Sequence, residues 1–217
     1  MNKTLMALVA TANIVSGATI TYAVDNLMTG TEPTSSSPYL TVTMVDIDNR
    51  ATNPLATMDL IGITVESSLT NNEFFSKVYL DIESAYHVAT FELAGIIENG
   101  TFDEPDVSIG SNIFSGGGSG QFDIALEFNT SNNDSGAFRF DHDDSYTIIV
   151  GYDGPESMTA DNLGRVIPTT GDNDPFALAH VQGINDIESG WVSSIPEPST
   201  ALLTAFGCLG LIMRRKR

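Results

Sequence analysis

FDIALEFN, residues 122–129, alternates without a break: Phe122, Ile124, Leu126 and Phe128 are separated by Asp123, Ala125, Glu127 and Asn129. A period of two residues belongs to a strand with one face in a core and the other toward solvent. The period recurs upstream, where Ile61, Ile63 and Val65 oppose Gly62, Thr64 and Glu66, and where Val78, Leu80 and Ile82 oppose Tyr79, Asp81 and Glu83. Further strands are predicted at Tyr39–Ile47, Val88–Leu93, Phe138–Phe140, Tyr146–Tyr152 and Ala177–Ile184. Between these eight short strands lie turn-forming clusters: TGTEPTSSSP at 29–38, SGGGSG at 115–120 and NTSNNDSG at 129–136. No stretch of the body carries a convincing amphipathic-helix pattern. The expected fold is all-β: two antiparallel sheets packed face to face as a β-sandwich, jelly-roll-like.

The chain has 217 residues and is 41% hydrophobic, enough for one domain with a real core. Its charge is unevenly placed. Of nine bases, Lys3 lies near the N-terminus and Arg214, Arg215, Lys216 and Arg217 close the chain, whereas all 28 acids except Glu197 fall between Asp25 and Glu188. Residues 24–195 therefore carry 27 acids against the four bases Arg50, Lys77, Arg139 and Arg165, a net charge near −23. Such a surface repels phosphate backbones, so nucleic acid is excluded as a partner. Cys208 is the single cysteine, so no disulfide forms within the chain and stability must come from packing.

Both ends are apolar. At the N-terminus, MNKTLMALVATANIVSGATITYAVD sets one base before an apolar run from Leu5 to Val15 and follows it with small residues, the pattern of a secretory signal peptide. The expected signal spans 1–23, with Thr21 and Ala23 at the −3 and −1 positions; a cut after Ala18, preceded by Ser16, is the second candidate. A polar linker is expected at 24–37 and the acidic ectodomain at 38–191. At the other end, a linker at 192–198 leads to the uncharged segment 199–213 and the basic tail 214–217. Thirteen residues of helix from Ala201 to Met213 rise about 20 Å against a hydrocarbon core of about 30 Å, short for a permanent transmembrane span. The four terminal bases hold the tail in the cytoplasm and leave the acidic domain outside. Pro196 and Pro198 flank Glu197 and keep that segment extended and open to an enzyme.

This ordered set, PEPSTALL followed by an apolar run and RRKR, resembles the PEP-CTERM sorting signal. The resemblance implies export across the inner membrane of a Gram-negative host, a transient hold by the C-terminal helix, and processing by an exosortase that recognises Pro196, Glu197 and Pro198. Ile195 stands where valine is more usual. The family's hosts often make exopolysaccharide, which supplies a candidate partner, and the final location implied is the cell surface or the medium. The body resembles in outline a group of PEP-CTERM ectodomains, through YLTVTMVDI at Tyr39, EFFSKVYLDI at Glu73, GQFDIALEF at Gly120 and ALAHVQGI to SGW at Ala177–Trp191. What that implies is a secreted sandwich without an assigned activity.

Chemistry is sparse. Calcium is the first candidate ligand, because its sites are built from loop carboxylates. Asp141, Asp143 and Asp144 in DHDD, and Asp172 and Asp174 in GDNDP, are the candidate ligands. Neither is an EF-hand: counting from Asp141, Tyr146 and Tyr152 stand where Gly and Glu are required. His87, His142 and His180 are the only histidines, and no H-E-x-x-H, paired-cysteine, G-x-S-x-G or phosphate-loop pattern accompanies them. The expectation is a non-enzymatic surface protein with no cofactor other than calcium. The alternative is a carbohydrate- or calcium-binding module.

Overall fold

The computed structural model describes residues 19–48, 57–70, 72–82, 91–131, 136–155, 157–163 and 175–194. Among the described residues, eleven strands and one helical turn follow in order: β1 (Thr19–Val24), β2 (Asn26–Gly30), β3 (Leu40–Asp48), β4 (Asp59–Ser67), β5 (Phe74–Leu80), β6 (Phe91–Asn99), β7 (Asp106–Gly116), β8 (Ser119–Glu127), β9 (Ser145–Tyr152), α1 (Ala160–Leu163), β10 (Ala177–Ile184) and β11 (Glu188–Ser193). They form a five-stranded sheet, β1-β3-β4-β9-β6, and a six-stranded sheet, β2-β11-β10-β5-β8-β7. Every pairing is antiparallel. The all-β, two-sheet reading of the alternation is what the chain adopts.

The predicted apolar faces meet between the sheets. Leu40, Val42 and Met44 of β3, Ile61, Ile63 and Val65 of β4, and Tyr146, Ile148 and Val150 of β9 are buried against Val78 and Leu80 of β5, Ile124 and Leu126 of β8, and Ala179 and Val181 of β10. Burying each large side chain contributes about 1.5–3 kcal/mol. One end of this core is aromatic: Phe128 stacks on Phe140 at 4.3 Å between ring centres, and Phe102 stands edge-on to Phe140 at 5.0 Å.

Several sequence expectations need correction. The polar linker 24–37 contains β2, which pairs with β11, and its TEPTSS segment is clamped to the domain by Glu73. β1 lies across the expected signal boundary at residue 23. The strand predicted at Val88–Leu93 is described from Phe91 and runs to Asn99, with Leu93 and Ile97 exposed on an edge strand; 83–90 fall outside the described residues. Phe138–Phe140 forms only a bridge, Phe75 to Phe140. β1, β2, β7 and β11 are strands beyond those that the sequence pattern predicts.

The acids also do more than face water. Asp59, Glu73, Asp123 and Asp144 are buried. Asp59 accepts from the Met158 amide at 2.8 Å, Asp123 from Ile82 at 2.8 Å, and Asp144 from Asp141 at 2.9 Å. Half-buried Asp46 accepts from the Ala160 amide at 2.6 Å, at the start of α1. Each carboxylate satisfies a backbone donor in a loop that no strand partner reaches.

Among the described residues no helix is long and apolar enough to cross a membrane. Pro196, Glu197, Pro198, the segment 199–213 and the tail Arg214, Arg215, Lys216 and Arg217 lie outside the described residues, as does the chain before Thr19.

Candidate functional site

Two features of the domain surface concentrate side chains that sequence spacing left apart. The first is a groove of about 690 Å³ at the β10–β11 end of the six-stranded sheet, lined among others by Asn72, Phe74, Arg139, Asp141, Gln182 and Asp186. Pairing of β10 with β5 sets Gln182 opposite Phe74, and the Phe75–Phe140 bridge brings Arg139 alongside. The Arg139 guanidinium lies 4.0 Å from the centre of the Phe74 ring. Its Nε donates to the Ser131 carbonyl at 3.1 Å and its Nη2 to that of Thr130 at 3.4 Å, which fixes the plane of the fork.

The opposite wall is the β10–β11 hairpin. Gly183, Asn185 and Asp186 have φ of 77°, 47° and 72°, the left-handed region that Gly, Asn and Asp enter most readily. Asn72 Nδ2 donates to Asp186 Oδ1 at 3.1 Å and ties the hairpin to the start of β5. Burial pushes the Asp141 carboxyl above its ordinary value, against the opposing pull of His142 and Arg139. The groove thus alternates donors and acceptors around one aromatic face. Three lining carboxylates, Asp141, Asp186 and Glu188, outnumber its single cation, so the chemistry suits a neutral, hydroxyl-rich ligand better than an anion.

The second feature is an aromatic cluster distinct from the inter-sheet core. Tyr79, Phe122, Ala125 and Leu178 are buried there, with Phe114 and Trp191 packed against them. Tyr79 stacks on Trp191 at 5.8 Å, and Trp191 on His180 at 4.5 Å. The β7–β8 hairpin roofs the cluster: a Cβ on Gly116 would stand 2.7 Å from the Trp191 ring and 2.8 Å from that of Tyr79.

His180 also meets Ser76, whose Oγ lies 2.8 Å from Nδ1. A serine beside a histidine is half of a nucleophilic triad, but the triad needs a carboxylate to orient and charge-balance the ring. Here burial and then the Lys77 cation both lower the His180 pKa, and Ser76 is 3% exposed. The pair instead pins the register shift between His180 and Val181 in the β10–β5 pairing.

The candidate calcium ligands diverge. Asp144 turns inward to the Asp141 amide, whereas the Asp143 side chain is 83% exposed and sits 3.1 Å from His142 Nε2. Among the described residues no group of three His, Cys, Asp or Glu side chains is placed to hold a metal ion. Asp172, Asp174 and His87 lie outside the described residues.

Neither feature is marked by a local sequence pattern. Phe74, Arg139 and Gln182 are separated by dozens of residues, and only the strand register joins them. The aromatic cluster spans five strands, and its glycine roof reads in sequence as a turn-forming loop. Comparison with known proteins finds no family model, no curated protein and no solved structure that matches the chain.

Proposed function

We propose that this chain is an exported cell-envelope or extracellular-matrix protein: a non-enzymatic, jelly-roll-like sandwich carried by an N-terminal signal and sorted by a C-terminal PEP-CTERM signal. The observation that carries the reading is the ordered set at the C-terminus, Pro196-Glu197-Pro198, thirteen uncharged residues from Ala201 to Met213, and four bases. The short apolar segment stops in the inner membrane with its bases in the cytoplasm. The exosortase then acts on the extended tripeptide outside and frees the acidic domain to the surface or the medium. The nested pairings β4–β9 and β5–β8, in opposite sheets, support the jelly-roll description. Changing Pro196, Glu197 and Pro198 together to alanine should leave full-length protein in the inner membrane, read by fractionation and intact mass. Unchanged maturation would remove exosortase processing from the account.

A second reading, a surface module for carbohydrate such as exopolysaccharide, is favoured by the Phe74–Arg139–Gln182 groove. Its calcium variant would draw on Asp141, Asp143, Asp144, Asp172 and Asp174. Glycan arrays followed by thermal melts test both: a bound ligand at 100 times its Kd stabilises by about 2.7 kcal/mol. A saccharide shift that Gln182→Ala abolishes assigns the groove. A shift with millimolar calcium alone assigns the acidic loops, and no shift with either leaves the module reading without support.

A further inference from the structure

We propose that the export signal is removed between Ala18 and Thr19, so that the mature chain begins at Thr19 and not at Val24. The inference rests on the reading of the chain as an exported protein and deepens it by naming the processing site. Signal peptidase hydrolyses one amide with one water, leaving a carboxyl on Ala18 and an amine on Thr19.

The sequence offers two sites with small residues at −3 and −1, Ser16 with Ala18 and Thr21 with Ala23. The peptidase meets the chain before it folds, so the fold does not choose between them at the moment of cutting. What separates them is the product each leaves behind.

A cut after Ala23 discards five of the six residues of β1. Those residues are built into the domain. β1 pairs with β3 along its whole length, from Thr19 opposite Val45 to Val24 opposite Leu40. Its side chains alternate: Thr19, Thr21 and Ala23 are exposed, while Ile20 and Tyr22 pack against the core and Val24 is fully buried. The Tyr22 ring stacks on Phe176 at 4.3 Å. Thr21 and Thr43 hydroxyls meet across the pair at 3.3 Å. Losing β1 would uncover Phe176 and the long β3, whose nine residues would become the sheet's edge and present unpaired N–H and C=O groups to other chains. A cut after Ala18 removes none of this, because β1 begins at the very next residue.

N-terminal sequencing and intact mass of the protein recovered from its host decide the matter. A chain starting at Thr19 supports the proposal. A chain starting at Val24 overturns it while leaving export intact, and one still starting at Met1 overturns the export reading itself. Two variants sharpen the test. Ala18→Phe should block processing, since a bulky −1 residue is rejected. Ala23→Phe should leave the cut at Thr19 unchanged, because Ala23 lies five residues beyond Ala18 and holds neither the −1 nor the −3 position of that site. Normal cleavage of the Ala18→Phe protein, or arrest of the Ala23→Phe protein, would sink the assignment.

Discussion

Replacing Glu73 by alanine should lower the melting midpoint of the domain by roughly 10 °C, the expected consequence of losing about 3–4 kcal/mol in a domain of this size. Glu73 is 1% exposed at the start of β5, and no cation pairs with it among the hydrogen bonds and ion pairs described. Its charge is instead held by four donors of one loop. Oε1 accepts from the Thr34 amide at 2.6 Å and the Thr34 hydroxyl at 2.8 Å, while Oε2 accepts from the Ser35 amide at 3.2 Å and from the Ser35 hydroxyl. Ser35 Oγ also accepts from the Thr70 amide at 2.7 Å, so the loops before β3 and before β5 are tied through one side chain. Alanine leaves the amide and hydroxyl of buried Ser35 without their carboxylate acceptor, whereas exposed Thr34 can turn to water, and unmade buried bonds cost more than made ones contribute. Glu73→Gln keeps the shape and one acceptor oxygen but turns an amide toward the remaining donors, so its midpoint should fall between the two. A Glu73→Ala protein that melts within about 2 °C of the parent would show that the loop is held by something else.

Why these acids escaped a reading of the sequence is a matter of what periodicity encodes. Alternation reports which side chains avoid water, and Ile61, Ile63 and Val65, or Ile124, Leu126 and Phe128, announce their face directly. It assigns every polar residue between them to solvent. Asp123 obeys the pattern in FDIALEFN and yet is 2% exposed, and it accepts from the Ile82 amide in the loop just beyond β5. A buried carboxylate and a solvated one are the same letter, and only the partner distinguishes them. β1 was hidden differently. TITYAV is short and lies where a signal peptide's cleavage region is expected, so its half-buried alternation read as small residues before a cut. In β7 the pairing with β8 jumps from Ile109–Ile124 to Phe114–Phe122, three residues longer on one strand than on the other, and an irregular strand leaves no clean period. The groove is legible from register alone, since Phe74, Arg139 and Gln182 share no local pattern.

Gly116→Val tests the most unexpected packing, and it should destabilise the domain by about 3 kcal/mol while moving tryptophan emission to longer wavelength. The turn itself demands glycine at two positions: Gly117 and Gly118 have φ of 60° and 78°, the pair of positive values that a two-residue hairpin turn requires. Gly116 is needed for another reason, close approach. Its missing Cβ is replaced by the rings of Trp191 and Tyr79 at 2.7 and 2.8 Å, distances no side chain tolerates. Those rings have nowhere to retreat, since Trp191 is stacked on His180 and Tyr79 on Phe122. The hairpin must therefore lift, and the aromatic cluster beneath it becomes wet. Trp191 is the sole tryptophan, so the emission change reports this site alone. Acid gives a second readout. His180 is held below its usual 6.5, by burial first and by Lys77 second. The unfolded chain therefore takes up this proton before the folded one does. The stability contributed by the neutral ring is complete above pH 6.5 and is lost as pH falls through 6.5 toward the lower folded value. Quenching of Trp191 by the protonated imidazole should accordingly set in below pH 6.5 in the parent, and closer to 6.5 once the Gly116→Val hairpin no longer shields the ring. Unaltered emission and an unaltered acid midpoint in the variant would mean that the glycine hairpin does not rest on Trp191 in solution.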